Sequence, residues 1–101
     1  MEWLEPWYPV AAGEGLDGEL QREVGPGHAL HGVATRTLGR RGDQDDVLFA
    51  LEDGTGRVAV VHLTWTSSPP EEPPWPSTRL FESIEVWAGT DMVEDHADFE
   101  E

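Results

Sequence analysis

The stretch from Asp46 to Trp65 constrains the fold of this chain more than any other. It holds two runs, Asp46-Val47-Leu48-Phe49-Ala50-Leu51 and Arg57-Val58-Ala59-Val60-Val61-His62-Leu63-Thr64-Trp65, that are apolar at consecutive positions. Successive side chains of a strand point to opposite faces. A strand that is apolar at both parities must be covered on both sides. Between the runs lies Asp53-Gly54-Thr55-Gly56, a tight hairpin connection by composition. Setting Glu52 opposite Arg57 fixes a register in which Leu51 faces Val58, Phe49 faces Val60 and Val47 faces His62. One face then carries Val47, Phe49, Leu51, Val58 and Val60. The other carries Leu48, Ala50, Ala59, Val61, Leu63 and Trp65.

Upstream, His31 to Arg40 is rich in Val and Thr and predicts a first strand, with Arg41 to Asp45 as the turn after it. Leu16, Leu20 and Val24 recur at helical spacing, and Gly25-Pro26-Gly27 ends that short helix. Residues 1–12 hold Trp3, Trp7 and Tyr8 between Pro6 and Pro9, which excludes a stable helix there. Downstream, residues 66–77 carry five prolines around Glu71, Glu72 and Trp75 and predict a polyproline-like path. Thr78 to Phe81 is a short edge-strand candidate. Ser83 is placed to cap a helix containing Ile84, Trp87 and Ala88, which Gly89 should break. Thr90 to Glu101 is expected to be a short capped helix or a fraying tail. The expected fold is α+β: a three-stranded antiparallel meander, four-stranded if Thr78 to Phe81 adds an edge, flanked by an N-terminal and a C-terminal helix. The 101 residues suit a single acidic domain, with an aromatic and proline-rich segment at 1–12 and an acidic tail at 90–101.

Composition narrows the function classes. Cysteine is absent, which removes disulfides, thiolate metal sites and thiol nucleophiles. The first residues are neither basic nor apolar enough for a signal peptide, and no apolar run approaches membrane-spanning length, so cytoplasmic residence is the expectation. There is no Lys and no Asn, and all six basic residues are Arg. That skew fits a GC-rich, bacterial genome rather than a physical demand. The net charge of −15 is a physical statement. It repels nucleic acid and anionic membranes and attracts basic surfaces. It also serves solubility alone.

His62-Leu63-Thr64-Trp65 followed by Pro73-Pro74-Trp75-Pro76 resembles a group of small uncharacterised bacterial proteins. Their pattern is an apolar strand ending in His-Leu-Thr-Trp, a proline-rich segment and a short helix with an aromatic residue. Asp45-Asp46-Val47-Leu48-Phe49 and Asp95-His96 fit the same pattern, over about residues 25–97. The resemblance implies a bacterial origin and no particular chemistry.

Candidate chemistry is sparse. His62 sits in an apolar strand and is expected to be at least half buried, near Asp45 and Asp46. An imidazole beside a carboxylate is the start of a general-base dyad, and it is also the ordinary arrangement of a structural histidine. His28 and His31, three apart, are the weak metal-ligand candidates, set against a chance pair in a loop. Asp43-Gln44-Asp45-Asp46 lacks the Gly and Glu of a calcium loop. Neither glycine-flanked turn is a phosphate loop, and Ser67 and Ser68 have no base nearby. No cofactor is expected. Trp65 and Trp87 suit packing. Trp3, Trp7 and Trp75, with Glu71 and Glu72, are candidates for a partner surface, unless their segments simply close a small core.

The leading expectation is a non-catalytic acidic protein that binds a basic protein partner, as an immunity protein, an antitoxin or a nucleic-acid mimic does. The alternatives are a small metal-dependent or general-base enzyme using His62 with Asp45 or Asp46, and a structural or regulatory subunit using Trp3, Trp7 and Trp75.

Overall fold

The computed structural model describes residues 2–10, 15–65 and 76–100. Five strands form one antiparallel sheet in sequence order: β1 (Trp7–Pro9), β2 (Thr35–Arg41), β3 (Asp46–Leu51), β4 (Val58–His62) and β5 (Thr78–Phe81). Helix α1 (Leu16–Glu23) lies between β1 and β2. After β5 come α2 (Ile84–Trp87), a π-helical turn (Ala88–Met92) and α3 (Val93–Glu100). Among the described residues, no helix is long and apolar enough to cross a membrane.

The expected meander of three or four strands is therefore corrected to five. The added strand is β1, which pairs Trp7 with Arg41, Tyr8 with Arg40 and Pro9 with Gly39. Proline removes a ladder donor, so it is tolerated at a sheet edge, and β1 is an edge. The flanking helices also need correction. The C-terminal helical run clearly flanks the sheet. Helix α1 has only eight residues and shares its face with the segment that follows it.

The hairpin register differs by one residue from the expected one. Val58 pairs with Ala50, Val60 with Leu48, and His62 with Asp46. The cause lies in the connection. Leu51 donates its N–H to the Arg57 carbonyl at 3.0 Å, so residues 52–56 make the loop. Gly54 and Gly56 both take positive φ there, at 81° and 77°, a region open to glycine. Asp53 closes the loop by accepting from the Thr55 N–H and hydroxyl at 3.1 and 2.6 Å. Glu52 and Arg57 do not face each other. Glu52 pairs with Arg36, and Arg57 with Asp53.

The shifted register sorts the core into two layers. Val47, Phe49 and Leu51 join Ala59, Val61 and Leu63 on one face, under Leu16, Leu20, Val24 and Leu30. Leu48, Val58 and Val60 lie on the other, under Trp7, Trp87 and Met92. Trp7 meets Trp87 edge-on with ring centroids 5.0 Å apart, and Trp3 tilts against Trp87 at 5.9 Å. Strand β2 carries a bulge between Thr37 and Gly39, and Gly39 backs this aromatic layer. A Cβ at Gly39 would come within 2.4 Å of the Trp3 ring.

Ser83 caps α2 by accepting from the Val86 N–H at 3.2 Å. Gly89 does not end the helical run. The backbone widens into the π-helical turn, and Met92 on its far side returns to the core beside Trp87. Burial of two large side chains outweighs the roughly 1 kcal/mol preference against helical glycine. The acidic C-terminus is not a free tail, because α3 is tied to the sheet. Asp95 accepts from Trp7 Nε1 at 2.9 Å and lies 3.3 Å from Arg41, and His96 Nδ1 donates to the Glu5 carbonyl at 2.7 Å.

Candidate functional site

The registered pairing of β3 with β4 sets Asp46 directly opposite His62. His62 Nδ1 is 2.8 Å from Asp46 Oδ1. The carboxylate is buried and the imidazole is not: the His62 side chain is 51% exposed and Asp46's is 11% exposed. The expectation of a half-buried ring is thus corrected, because the strand's last residue lies at the rim of the apolar cover. Asp46 holds the Nδ1–H, and the pair lines a shallow depression of about 330 Å³ with Val60, Ser77 and Arg79. Ser77 stands beside His62, whose backbone N–H it accepts at 2.9 Å. Nε2 takes no hydrogen bond from a described residue. An oriented imidazole of this kind is able to accept a proton. Asp45 takes no part. Its side chain faces Arg40 at 3.7 Å, and its carbonyl accepts from the Leu63 N–H.

The two metal-ligand candidates diverge. His28 is buried, and its Nδ1 accepts from the Leu30 N–H at 3.0 Å. Nε2 must then carry the hydrogen, which it donates to the Pro76 carbonyl at 3.0 Å. His31 is exposed and adds nothing to that network. Among the described residues, no group of three His, Asp or Glu side chains is arranged to hold a metal ion.

Among the described residues, the most deeply buried carboxyl belongs to a residue that the apolar pattern of α1 left unremarked. Glu23 is 1% exposed. It accepts from the Thr64 N–H at 2.9 Å, the Thr64 hydroxyl at 3.1 Å and the Trp65 N–H at 2.9 Å. Burial pushes its carboxyl above the ordinary value of 4.5, and a side-chain hydrogen bond to Glu19 pushes the same way, against the three donors. Glu19 moves down: burial opposes this, but hydrogen bonds from Glu23 and Arg22 outweigh it. Of the two carboxyls Glu23 therefore holds a proton to the higher pH, and Glu19, beside Arg22, loses its proton first. A sequence signal existed, since Leu16, Leu20 and Glu23 fall at i, i+4 and i+7 on one helical face.

The aromatic candidates also separate. Trp7 is 1% exposed and Trp87 is fully buried, so Trp7 is not available as an exposed anchor. Trp3 is half-buried against Trp87 and Gly39. Trp65 is exposed, at φ 58°, with Arg40 over its ring. Trp75, Glu71 and Glu72 lie outside the described residues. The large exposed apolar side chains include Tyr8, on β1, and Phe99, on α3.

Charge is distributed unevenly. All six arginines, each among the described residues, are ion-paired with carboxylates of this chain. Arg36 pairs with Glu52 at 3.2 Å, Arg40 with Asp45 at 3.7 Å, and Arg57 with Asp53 at 3.2 Å. Arg41 meets Asp43 at 2.6 Å and Asp95 at 3.3 Å. Arg22 pairs with Glu19, and Arg79 with Asp91. By contrast Glu82, Glu85, Glu94 and Asp98 are exposed and form no ion pair with a described residue. No family model, no curated protein and no solved structure matches this chain.

Proposed function

We propose that the protein is a non-catalytic acidic interaction protein that binds a basic protein partner, in the manner of an immunity protein, an antitoxin or an acidic nucleic-acid mimic. The observation that carries this reading is the internal pairing of every arginine. The net charge of −15 already counts the six arginines, and because each is held by its own carboxylate no free basic patch interrupts the negative field of this 37 × 29 × 25 Å body among the described residues. Such a field repels nucleic acid and anionic lipid and accelerates encounter with a basic surface. The test is affinity capture from the native cell followed by salt elution. The reading expects a retained protein that is basic and that elutes as salt rises. Retention of only acidic or neutral proteins, indifferent to salt, would refute it.

A second reading rests on the 2.8 Å contact between His62 and Asp46. The His62 Nε2 would serve as a general base on a substrate lodged beside Ser77 and Arg79. Its test is hydrolysis of a panel of activated esters and phosphoesters. Turnover abolished by His62→Gln supports it, and no turnover above buffer refutes it.

A further inference from the structure

We propose that the groove between β1 and α3 is the partner's docking point and takes an arginine side chain from the basic protein; this rests on the acidic-interaction reading above. Pro6, Tyr8, Gly42 and Phe99 line the groove together with Glu5 and Asp43. Tyr8 and Phe99 are 45% and 46% exposed, so two aromatic rings stand uncovered from opposite ends of the chain. Both line one groove because α3 is fastened beside β1 by the Asp95–Trp7 and His96–Glu5 hydrogen bonds. Gly42 forms part of the floor, and its N–H donates to the Pro6 carbonyl at 2.8 Å.

Three properties select the occupant. The volume, about 290 Å³, lies just below the span of about 300–1,000 Å³ usual for small-molecule pockets and suits one side chain. The local charge is negative. Arg41 is shared between Asp43 and Asp95, and Glu5 has no ion pair among the described residues, so three carboxylates in and beside the groove outnumber one guanidinium. Helix α3 adds Glu94, Asp98 and Glu100, all exposed, and His96, which gives Nδ1–H to the Glu5 carbonyl and has Nε2 3.4 Å from Glu100. Finally, the walls are aromatic. A planar guanidinium stacks on aromatic faces while its N–H groups reach carboxylates, whereas an ammonium is a strongly hydrated point charge. Aromatic anchors within a polar rim are also where binding energy concentrates at protein interfaces.

The test uses the full chain and the tripeptide acetyl-Gly-Arg-Gly-amide, followed by amide chemical shifts. Saturable shifts should appear first at Tyr8, Gly42 and Phe99. The neutral citrulline tripeptide should bind at least about tenfold more weakly, and the lysine tripeptide about threefold more weakly. Phe99→Ala and Tyr8→Ala should each weaken the arginine tripeptide at least about fivefold, and Glu5→Gln about twofold to threefold. All three positions are exposed, and unchanged melting temperatures verify that the variants fold. Shifts centred elsewhere, or affinity indifferent to Phe99→Ala and Tyr8→Ala, would overturn the groove. A basic, salt-eluted partner captured equally by wild type and by Phe99→Ala would leave the acidic-interaction reading standing while removing the groove. Absence of any basic partner would remove that reading itself.

Discussion

Glu23 and His28, five positions apart, grip the chain on either side of residues 66–75. The Glu23 carboxyl accepts from the backbone N–H groups of Thr64 and Trp65, and the His28 ring donates to the Pro76 carbonyl. The end of α1 and the turn after it thus fix both the exit from β4 and the approach to β5. The positive φ of Trp65, unusual for a bulky residue, is held in place by the same carboxyl.

Removing this carboxyl should be costly in proportion to the donors it leaves buried. Glu23→Ala removes the acceptor of two part-buried backbone N–H groups, and at about 1–3 kcal/mol each a loss of about 2–6 kcal/mol is expected. Glu23→Gln keeps both an acceptor for those groups and a donor toward Glu19, and should cost less than about 1 kcal/mol. Urea melts at pH 5 of the two variants check this. Equal losses would mean that Glu23 acts through bulk alone.

The pH dependence has a definite sign. Burial, then the hydrogen bond to Glu19, raises the Glu23 carboxyl above 4.5 in the folded protein. Between the ordinary and the raised value, the folded state holds a proton that the unfolded state has lost. The stability from Glu23 is therefore fully present below the ordinary value and is lost as pH rises through the raised one. Wild type should lose stability relative to Glu23→Gln over that window, and the difference should level off above it. Glu19 has the opposite sign: its contribution is present above 4.5 and is lost as pH falls through its lowered value. A wild-type-minus-Gln difference that is flat with pH would contradict the raised Glu23 carboxyl.

Gly39 is required by close approach. An added Cβ would sit 2.4 and 2.5 Å from two Trp3 ring atoms and 2.9 Å from the Tyr8 carbonyl oxygen. The ring can shift, but the β1 backbone is paired to β2 at that point. Gly39→Ala should cost about 1–3 kcal/mol, the range for overpacking. Thermal melts measure it, and a loss below about 0.5 kcal/mol would mean that β1 is free to move away.

Asp95 ties α3 to the sheet through Trp7 and Arg41. Asp95→Ala leaves a buried indole N–H without its acceptor and should cost about 1–3 kcal/mol. Limited proteolysis should then cut first within α3. Wild-type resistance to proteolysis would show that Met92 and Trp87 hold the segment unaided.

How much of this was legible in the sequence depends on the range of the interaction. The β3 and β4 runs announce strands covered on both sides, because their apolar residues occur at both parities. Their register was not legible, because the loop takes in Glu52 as well as Asp53 to Gly56, and the Leu51–Arg57 pairing that closes it leaves no mark in the composition. The same shift places Asp46, rather than Val47, across from His62. Pro6 and Pro9 hid β1, since a sheet edge tolerates what a central strand does not. Gly89 misled because core burial of Trp87 and Met92 overrides local propensity. Trp7 and Asp95 are separated by 88 positions, and no local pattern links them. Tyr8 and Phe99 likewise share a groove only once the sheet and helix are assembled.

The most direct test of the acidic-interaction reading is the association rate with the captured basic partner as a function of ionic strength. The screening length falls from about 30 Å at 0.01 M to about 8 Å at 0.15 M salt, that is, from the size of the domain to a fraction of it. If uncompensated carboxylates steer the encounter, the association rate should drop by at least about tenfold over that range while the dissociation rate changes little. An association rate that stays flat from 0.01 to 0.15 M would contradict electrostatic recognition and, with it, the proposed function.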